Sequence, residues 1–261
     1  MGKIWKIVNY LLYLNDMKKT LNKSLLQSII GKYYLDELFK SVRWITKNNT
    51  LTVAFSNAEC RGDVVCGDFP FEDSKIGILD TEKFRRLLSI TSGDLLLELE
   101  KIQAVYTKMQ INDSNYKLNF VLSDIMQIPK AEEKTGPSEW EIKYTLTQED
   151  INYILKATSA AGDIDTIMVR TSVNLDEKDT VEFIFGGNDD FDNKITYAVE
   201  SNNEIQLEMP YSAKLLKSIL SANKDAEFGT ISWSKYGMMR LQFKCGNSIE
   251  SDYIVMRQAD L

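Results

Sequence analysis

Four short stretches of the chain share one hydrophobic pattern. Leu26/Ile29/Ile30, Phe84/Leu87/Leu88, Ile151/Ile154/Leu155 and Leu216/Ile219/Leu220 are apolar triplets at i, i+3, i+4. That spacing lays one apolar stripe along a helix of about three turns. The first and last copies even share the string Leu-Leu-x-Ser-Ile, at 25–29 and 215–219. The anchors advance by 58, 67 and 65 residues, which is the mark of an internal repeat. Thr81 and Thr147 stand where N-caps are expected, with Glu82 and with Glu149 and Asp150 in the turns that follow.

Between the helical stretches the period changes to two. Alternating or β-rich runs at 42–45, 51–55, 95–99, 106–111, 116–122, 166–173, 181–185, 230–234, 239–243 and 252–256 read as strands. Turn residues such as Asn48-Asn49, Asp113-Ser114-Asn115 and Lys235-Tyr236-Gly237 separate them. The repeating unit is one short helix with about four strands, present four times. Residues 129–138, PKAEEKTGPS, hold two of the four prolines and a run of charge, the composition of a connector. The chain therefore divides into domain 1 over 17–128, a connector over 129–138 and domain 2 over 139–261. The predicted class is α+β: two similar domains, each with two short helices packed on antiparallel sheet. Residues 1–16, MGKIWKIVNYLLYLND, are apolar but too short to span a bilayer and lack a small-residue cleavage site. They read as an extension upstream of a second plausible start at Met17.

Charge changes the picture. The 261 residues carry 31 basic and 38 acidic side chains, a net charge of −7. The four helical windows, 18–32, 81–92, 147–162 and 210–224, nevertheless sum to +8, leaving −15 for the remainder. At 100° per residue, Arg86 and Lys214 lie opposite their apolar stripes, with Lys83, Arg85, Lys217 and Lys224 on the flanks. Lys156 lies on the polar side of the third helix, and Lys23 and Lys32 near the edges of the first. A basic face on one helix usually means only solvation, and Lys and Arg are good helix formers. Three of four equivalent helices leaning the same way in an acidic chain point to an anionic ligand facing them.

Catalytic chemistry finds little support. The chain has no histidine, so the commonest general base and metal ligand is missing. Cys60, Cys66 and Cys245 form neither a disulfide framework nor a zinc motif, and read as reduced thiols in the cytoplasm. No catalytic residue, metal ligand or cofactor is assigned. The pairs Asp176-Glu177 and Asp189-Asp190 would be the carboxylates of an alternative hydrolase reading, but they fall in predicted turns, where solvated acid is the default. The turn from Gly186 to Asp190 lacks the ligand periodicity of a calcium loop.

Four segments carry a family resemblance: ILDTEKFRRLLSIT from Ile78, YTLTQEDINYILKATSAAGDIDTIMV from Tyr144, NYKLNFVLSDIMQIPK from Asn115 and the closing DYIVMRQAD from Asp252. Together with the fourfold repeat they resemble the DNA polymerase sliding clamps, the processivity factors. The helix-opening segments and closing strand look like the T-even-type bacteriophage form, and the segment from Asn115 like the proliferating cell nuclear antigen. The resemblance covers residues from about 20 to 261. It implies a non-enzymatic homotrimeric ring of six similar domains, with helices lining the hole and duplex DNA passing through. The nine basic residues named above would then address the phosphate backbone without reading sequence. It also implies a DNA polymerase and an ATP-dependent clamp loader as partners, no membrane, and a cytoplasmic setting. A peptide pocket is implied at Ile125, Met126, Ile128, Met238, Met239, Tyr253, Val255 and Met256. The subunit joint is implied as edge pairing of strand 116–122, with Tyr116, Leu118, Phe120 and Leu122, to strand 180–185, with Val181, Phe183 and Phe185. A non-ring polymerase accessory protein of the same fold is the other alternative.

Overall fold

The computed structural model describes residues 18–133, 135–173, 178–187, 193–201, 205–246 and 248–258. The extension at 1–16 and the acidic pairs at 176–177 and 189–190 lie outside them. The elements fall into four copies of strand, helix and three strands. The first is β1 (Lys18–Asn22), α1 (Lys23–Tyr34), β2 (Val42–Lys47), β3 (Thr50–Ser56) and β4 (Cys60–Cys66). The second is β5 (Ser74–Ile78), α2 (Thr81–Ser89), β6 (Asp94–Ile102), β7 (Val105–Asn112) and β8 (Lys117–Val121), closed by a 3-10 turn at Ile125–Gln127. The third is β9 (Ile142–Thr147), α3 (Gln148–Ala160), β10 (Thr166–Val173), β11 (Asp179–Gly186) and β12 (Lys194–Glu200). The fourth is β13 (Glu208–Ser212), α4 (Ala213–Ala222), β14 (Phe228–Trp233), β15 (Met238–Cys245) and β16 (Ile249–Met256).

Each helix starts at a side-chain cap. Asn22 Oδ1 accepts from Ser24 N at 2.9 Å, and Asp80 Oδ1 from Lys83 N at 2.8 Å. Thr147 and Asp150 form a reciprocal capping box, and Ser212 Oγ accepts from Leu215 N at 3.3 Å. The cap of α2 is thus Asp80; Thr81, expected to cap it, is the first helical residue and is fully buried.

The copies are interlocked in pairs. The leading strand of each joins the sheet of its partner, giving antiparallel sheets β1-β6-β7-β8 and β12-β11-β10-β13. Likewise β5 pairs with β2, and β9 with β14. The chain forms two compact units. One comprises the described residues through Ala54 together with Val65–Lys130, the other Phe55–Val64 together with those from Ala131 onward. Residues 55–64, which the sequence reading leaves in domain 1, go with the second unit because β4 lies beside β16 there. The second unit's strands run β4-β16-β15-β14-β9.

Each unit has an aromatic centre beneath its helices. In the first, Trp44 on β2 meets Tyr33, Phe69 and Phe84 edge-on, at 6.5, 6.1 and 5.8 Å between ring centroids. Phe84 also lies 4.7 Å from Phe120. In the second, Trp233, at the end of β14, lies 5.9 Å from Phe183. The expected stripe residues are buried except Leu87 and Leu155, which are half-buried.

Replacing Phe84 with Ala removes a ring shared by α2, β2 and β8. It is expected to lower the unfolding free energy by about 3–5 kcal/mol, whereas Lys83→Ala on the same helix should stay within about 0.5 kcal/mol. Urea titration followed by tryptophan fluorescence, with Trp44 beside the site, separates the two.

Candidate nucleic-acid interface

In each unit the two helices pack side by side, α1 with α2 and α3 with α4. Their outward faces carry the basic residues. Lys83, Arg85, Arg86, Lys156, Lys214, Lys217 and Lys224 are exposed. Arg86 pairs with Glu82 one turn earlier, and the Arg85 guanidinium stacks 4.7 Å over Tyr34. Lys156 lies 5.8 Å from the Tyr153 ring. The ammonium groups of Lys83, Lys214, Lys217 and Lys224 meet no carboxylate among the described residues. Several cations on the sheets are instead neutralised across strands. Lys108 pairs with Glu100 at 2.7 Å, Arg170 with Glu182 at 2.8 Å and Arg240 with Asp252 at 2.6 Å. The helical faces therefore keep unpaired positive charge, which exerts a longer reach on an anion than a paired one.

Two expected members of this face have other positions. Lys32 is fully buried, because the last turn of α1 is enclosed on all sides: Tyr33 and Tyr34 are buried with it. Lys23 is half-buried, and its Nζ donates to the Ser89 carbonyl at 3.3 Å and to that of Thr91. It thus sits at the C-terminal end of α2, where a cation offsets the helix dipole. Ser218 is also buried, which narrows the exposed strip of α4.

The remaining assignments divide similarly. Strand β8 is a sheet edge, as expected, with Tyr116 exposed beside it, Leu118 half-buried, and Phe120 and Leu122 turned into the core. Strand β11 is not an edge. It is hydrogen-bonded to β10 on one side and β12 on the other, and Val181, Phe183 and Phe185 are core residues. That sheet's edges are β13 and, next to β11, β12. The β12 alternation Ile195/Tyr197/Val199 was present in the sequence, but β11 gives the stronger hydrophobic signal because both its neighbours bury it. Of the residues assigned to a peptide pocket, Met126 is exposed, and Ile125, Met238 and Met256 are half-buried. Ile128, Met239, Tyr253 and Val255 are buried. The Ile128 carbonyl accepts from Arg43 Nε at 2.8 Å, and the Tyr253 hydroxyl from Asn223 at 3.0 Å. These four hold the core and present no surface to a peptide.

A carboxylate ties β12 to the helical layer. Asp150, at the start of α3, is buried and accepts hydrogen bonds from Thr147 N at 2.7 Å, from Tyr144 Oη at 3.0 Å and from Tyr197 Oη on β12. Burial opposes its charge, but the bonds from Thr147, Tyr197 and Tyr144 outweigh burial and hold the carboxyl below the usual aspartate range. Burial, then the bond to Asp150, pushes Tyr144 up to about 12.

This architecture has solved counterparts. The fold is that of the PCNA sliding clamps. An A. fulgidus PCNA, solved with the C-terminal region of FEN-1, superposes with a TM-score of 0.72 at 17% identity, over 94% of this chain and 99% of that one. The proliferating cellular nuclear antigen of Entamoeba histolytica gives 0.71 at 13% identity, over 93% and 98%. A chain of the PCNA2–PCNA3 complex of Sulfolobus tokodaii gives 0.68 at 16% identity, over 94% and 100%. No family model matches the sequence, and no curated relative matches it.

Asp150→Asn leaves half-buried tyrosine hydroxyls facing a weaker acceptor, at a cost of about 1 kcal/mol near neutral pH. A carboxyl depressed in the folded state stabilises it above the unfolded pKa of about 4 and loses that contribution as pH falls through the folded value. The stability gap between wild type and Asp150→Asn should therefore close below about pH 4, as read by thermal unfolding across pH.

Proposed function

We propose that this chain is a sliding-clamp subunit: three copies close a ring around duplex DNA and tether a DNA polymerase, placed on DNA by an ATP-dependent loader. The observation that carries the reading is the unpaired basic charge on the exposed helix faces of a chain that is acidic overall. In the ring these faces line the hole. Phosphate is attracted inside, while the acidic remainder repels DNA outside. The lysines reach backbone oxygens and no base edges, so attraction does not bind the ring to one position. Retention is topological, and tight contacts would hinder sliding. The helix-opening segments and closing strand favour a phage replisome as the setting, in the host cytoplasm.

The ring requires a joint between copies, and we assign it to β8 of one subunit and β12 of the next. Both are edge strands in register with one neighbour only. Leu122 N donates inward to Thr107 O at 2.9 Å, and alternation along an antiparallel ladder turns the Asn119 N–H outward. Ser201 N donates inward to Asp179 O at 3.0 Å, which by the same rule turns the Ala198 N–H outward.

Asn119→Pro or Ala198→Pro removes one outward donor while leaving the inward ladder intact. Either should convert a trimer to monomers in light scattering. A wild-type monomer at working concentrations would favour a non-ring accessory factor, and a proline variant that stays trimeric would place the joint elsewhere.

Arg86→Glu with Lys214→Glu should lower retention on closed circular duplex and reduce the slope of log affinity against log salt by about 1 per site. The trimer should persist, since both side chains are exposed. Unchanged retention at low salt would remove these helices from the DNA path.

A further inference from the structure

The first unit holds a groove that shares only Ile125 with the peptide pocket expected from the sequence. Its volume is about 440 Å³, within the range of sites that hold small ligands or a few side chains. Its walls are the ends of β2 and β5, the β6–β7 hairpin and the segment at 123–125. Ile45 and Lys75 are cross-strand partners, so their side chains share one face, and both are exposed. Val105 is exposed on the hairpin opposite.

The groove's three lysines outnumber its two carboxylates. The two carboxylates are engaged by backbone: Asp73 Oδ1 accepts from Asn48 N at 2.8 Å, and Asp124 Oδ1 from Met126 N at 2.9 Å. Lys47 and Lys75 meet no carboxylate among the described residues. Lys101 lies 4.9 Å over the Tyr106 ring, with its charge exposed to the groove's mouth.

The groove also contains a free strand edge. Ser123 N donates to Gly77 O at 3.0 Å, a single bridge on the outer side of β5. Asp124 then opens the 3-10 turn, which carries the chain away from the ladder. Two residues before Gly77, alternation turns the N–H and C=O of Lys75 to that same outer side. No backbone group of the described residues meets them.

We propose that this groove accepts an extended acidic segment of a partner protein as a short added strand. Its backbone pairs with Lys75, its apolar side chains rest on Ile45 and Val105, and its carboxylates meet Lys47, Lys75 and Lys101. Strand addition supplies affinity from main-chain bonds, and alternate side chains supply selectivity. The groove lies wholly in the first unit, so the proposal stands independently of ring closure.

The test is fluorescence anisotropy with the full chain and a labelled peptide of about nine residues that alternates glutamate with valine and leucine, long enough to cover the edge. Saturable binding is expected. Lys47→Glu with Lys75→Glu should weaken it by about tenfold or more, and Lys101→Glu, on the hairpin, should weaken it independently. A peptide of the same sequence N-methylated at alternate amides should also lose about tenfold. Circular dichroism checks that each variant is folded, and if the double variant is not, Lys101→Glu decides the charge arm. Absence of saturable binding overturns the proposal. So does a folded variant that binds like wild type, or an N-methylated peptide that binds like its parent, which would indicate a charged surface without strand addition.

Discussion

A β-strand with an unpaired edge must be paired, covered or defended, and this fold is organised around that requirement. A helix with three strands cannot close a sheet around itself. Each copy of the repeat sends its leading strand into its partner's sheet, so neither copy completes a sheet alone. The exchange also places the helices. Each lies directly after a strand that has crossed into the partner, which sets α1 beside α2 and α3 beside α4. The basic faces are thus positioned by strand pairing, with no demand on the residues that carry the charge.

That freedom accounts for the way charge is distributed. Side chains on the exposed strip of α4 support no packing, so Lys214, Lys217 and Lys224 can be chosen for charge alone. On the sheets, long cations lie across carboxylates, where they contribute cross-strand pairing and little field. Among the strand lysines without a carboxylate partner, Lys47 and Lys75 border a groove and an open edge.

The fold was largely legible because its signals are periodic. The triplets located all four helices, and turn residues separated most hairpins. Strands β1, β4, β5, β9, β12 and β13 were not read; β1, β5, β9 and β13 each run into a helix start. Pro210 in β13 was a usable signal, since proline in a sheet belongs on an edge. The site was legible only in part. A helical wheel assumes one buried side, and α1 ends with Lys32, Tyr33 and Tyr34 all enclosed, so Lys32 was misplaced. Hydrophobicity alone cannot separate an edge strand from an interior one. The strongly apolar β11 is interior because both neighbours and the core cover it, while the more polar β12 is the edge. The same rule places Met239, Tyr253 and Val255 in the core: a strongly apolar closing strand faces inward before it faces a partner.

The edges differ in how they are defended, and the difference bears on assembly. β13 carries Pro210, whose carbonyl accepts from Gln258 N at 2.9 Å. β5 is bridged at Gly77 by Ser123. β8 and β12 carry no proline, and no backbone of the described residues covers them. The outward-turned groups of β12 belong to Lys194, Thr196, Ala198 and Glu200, of which the central two are small and neutral. On β8, Val121 is 71% exposed beside the open edge. A soluble chain that left such edges bare would invite indiscriminate pairing. Their positions argue for one specific partner. β4 and β16 are the last strands of the first and fourth copies, and they lie side by side within the chain. β8 and β12 are the last strands of the second and third, the two that remain. Pairing them between copies, as proposed above, would leave no last strand open.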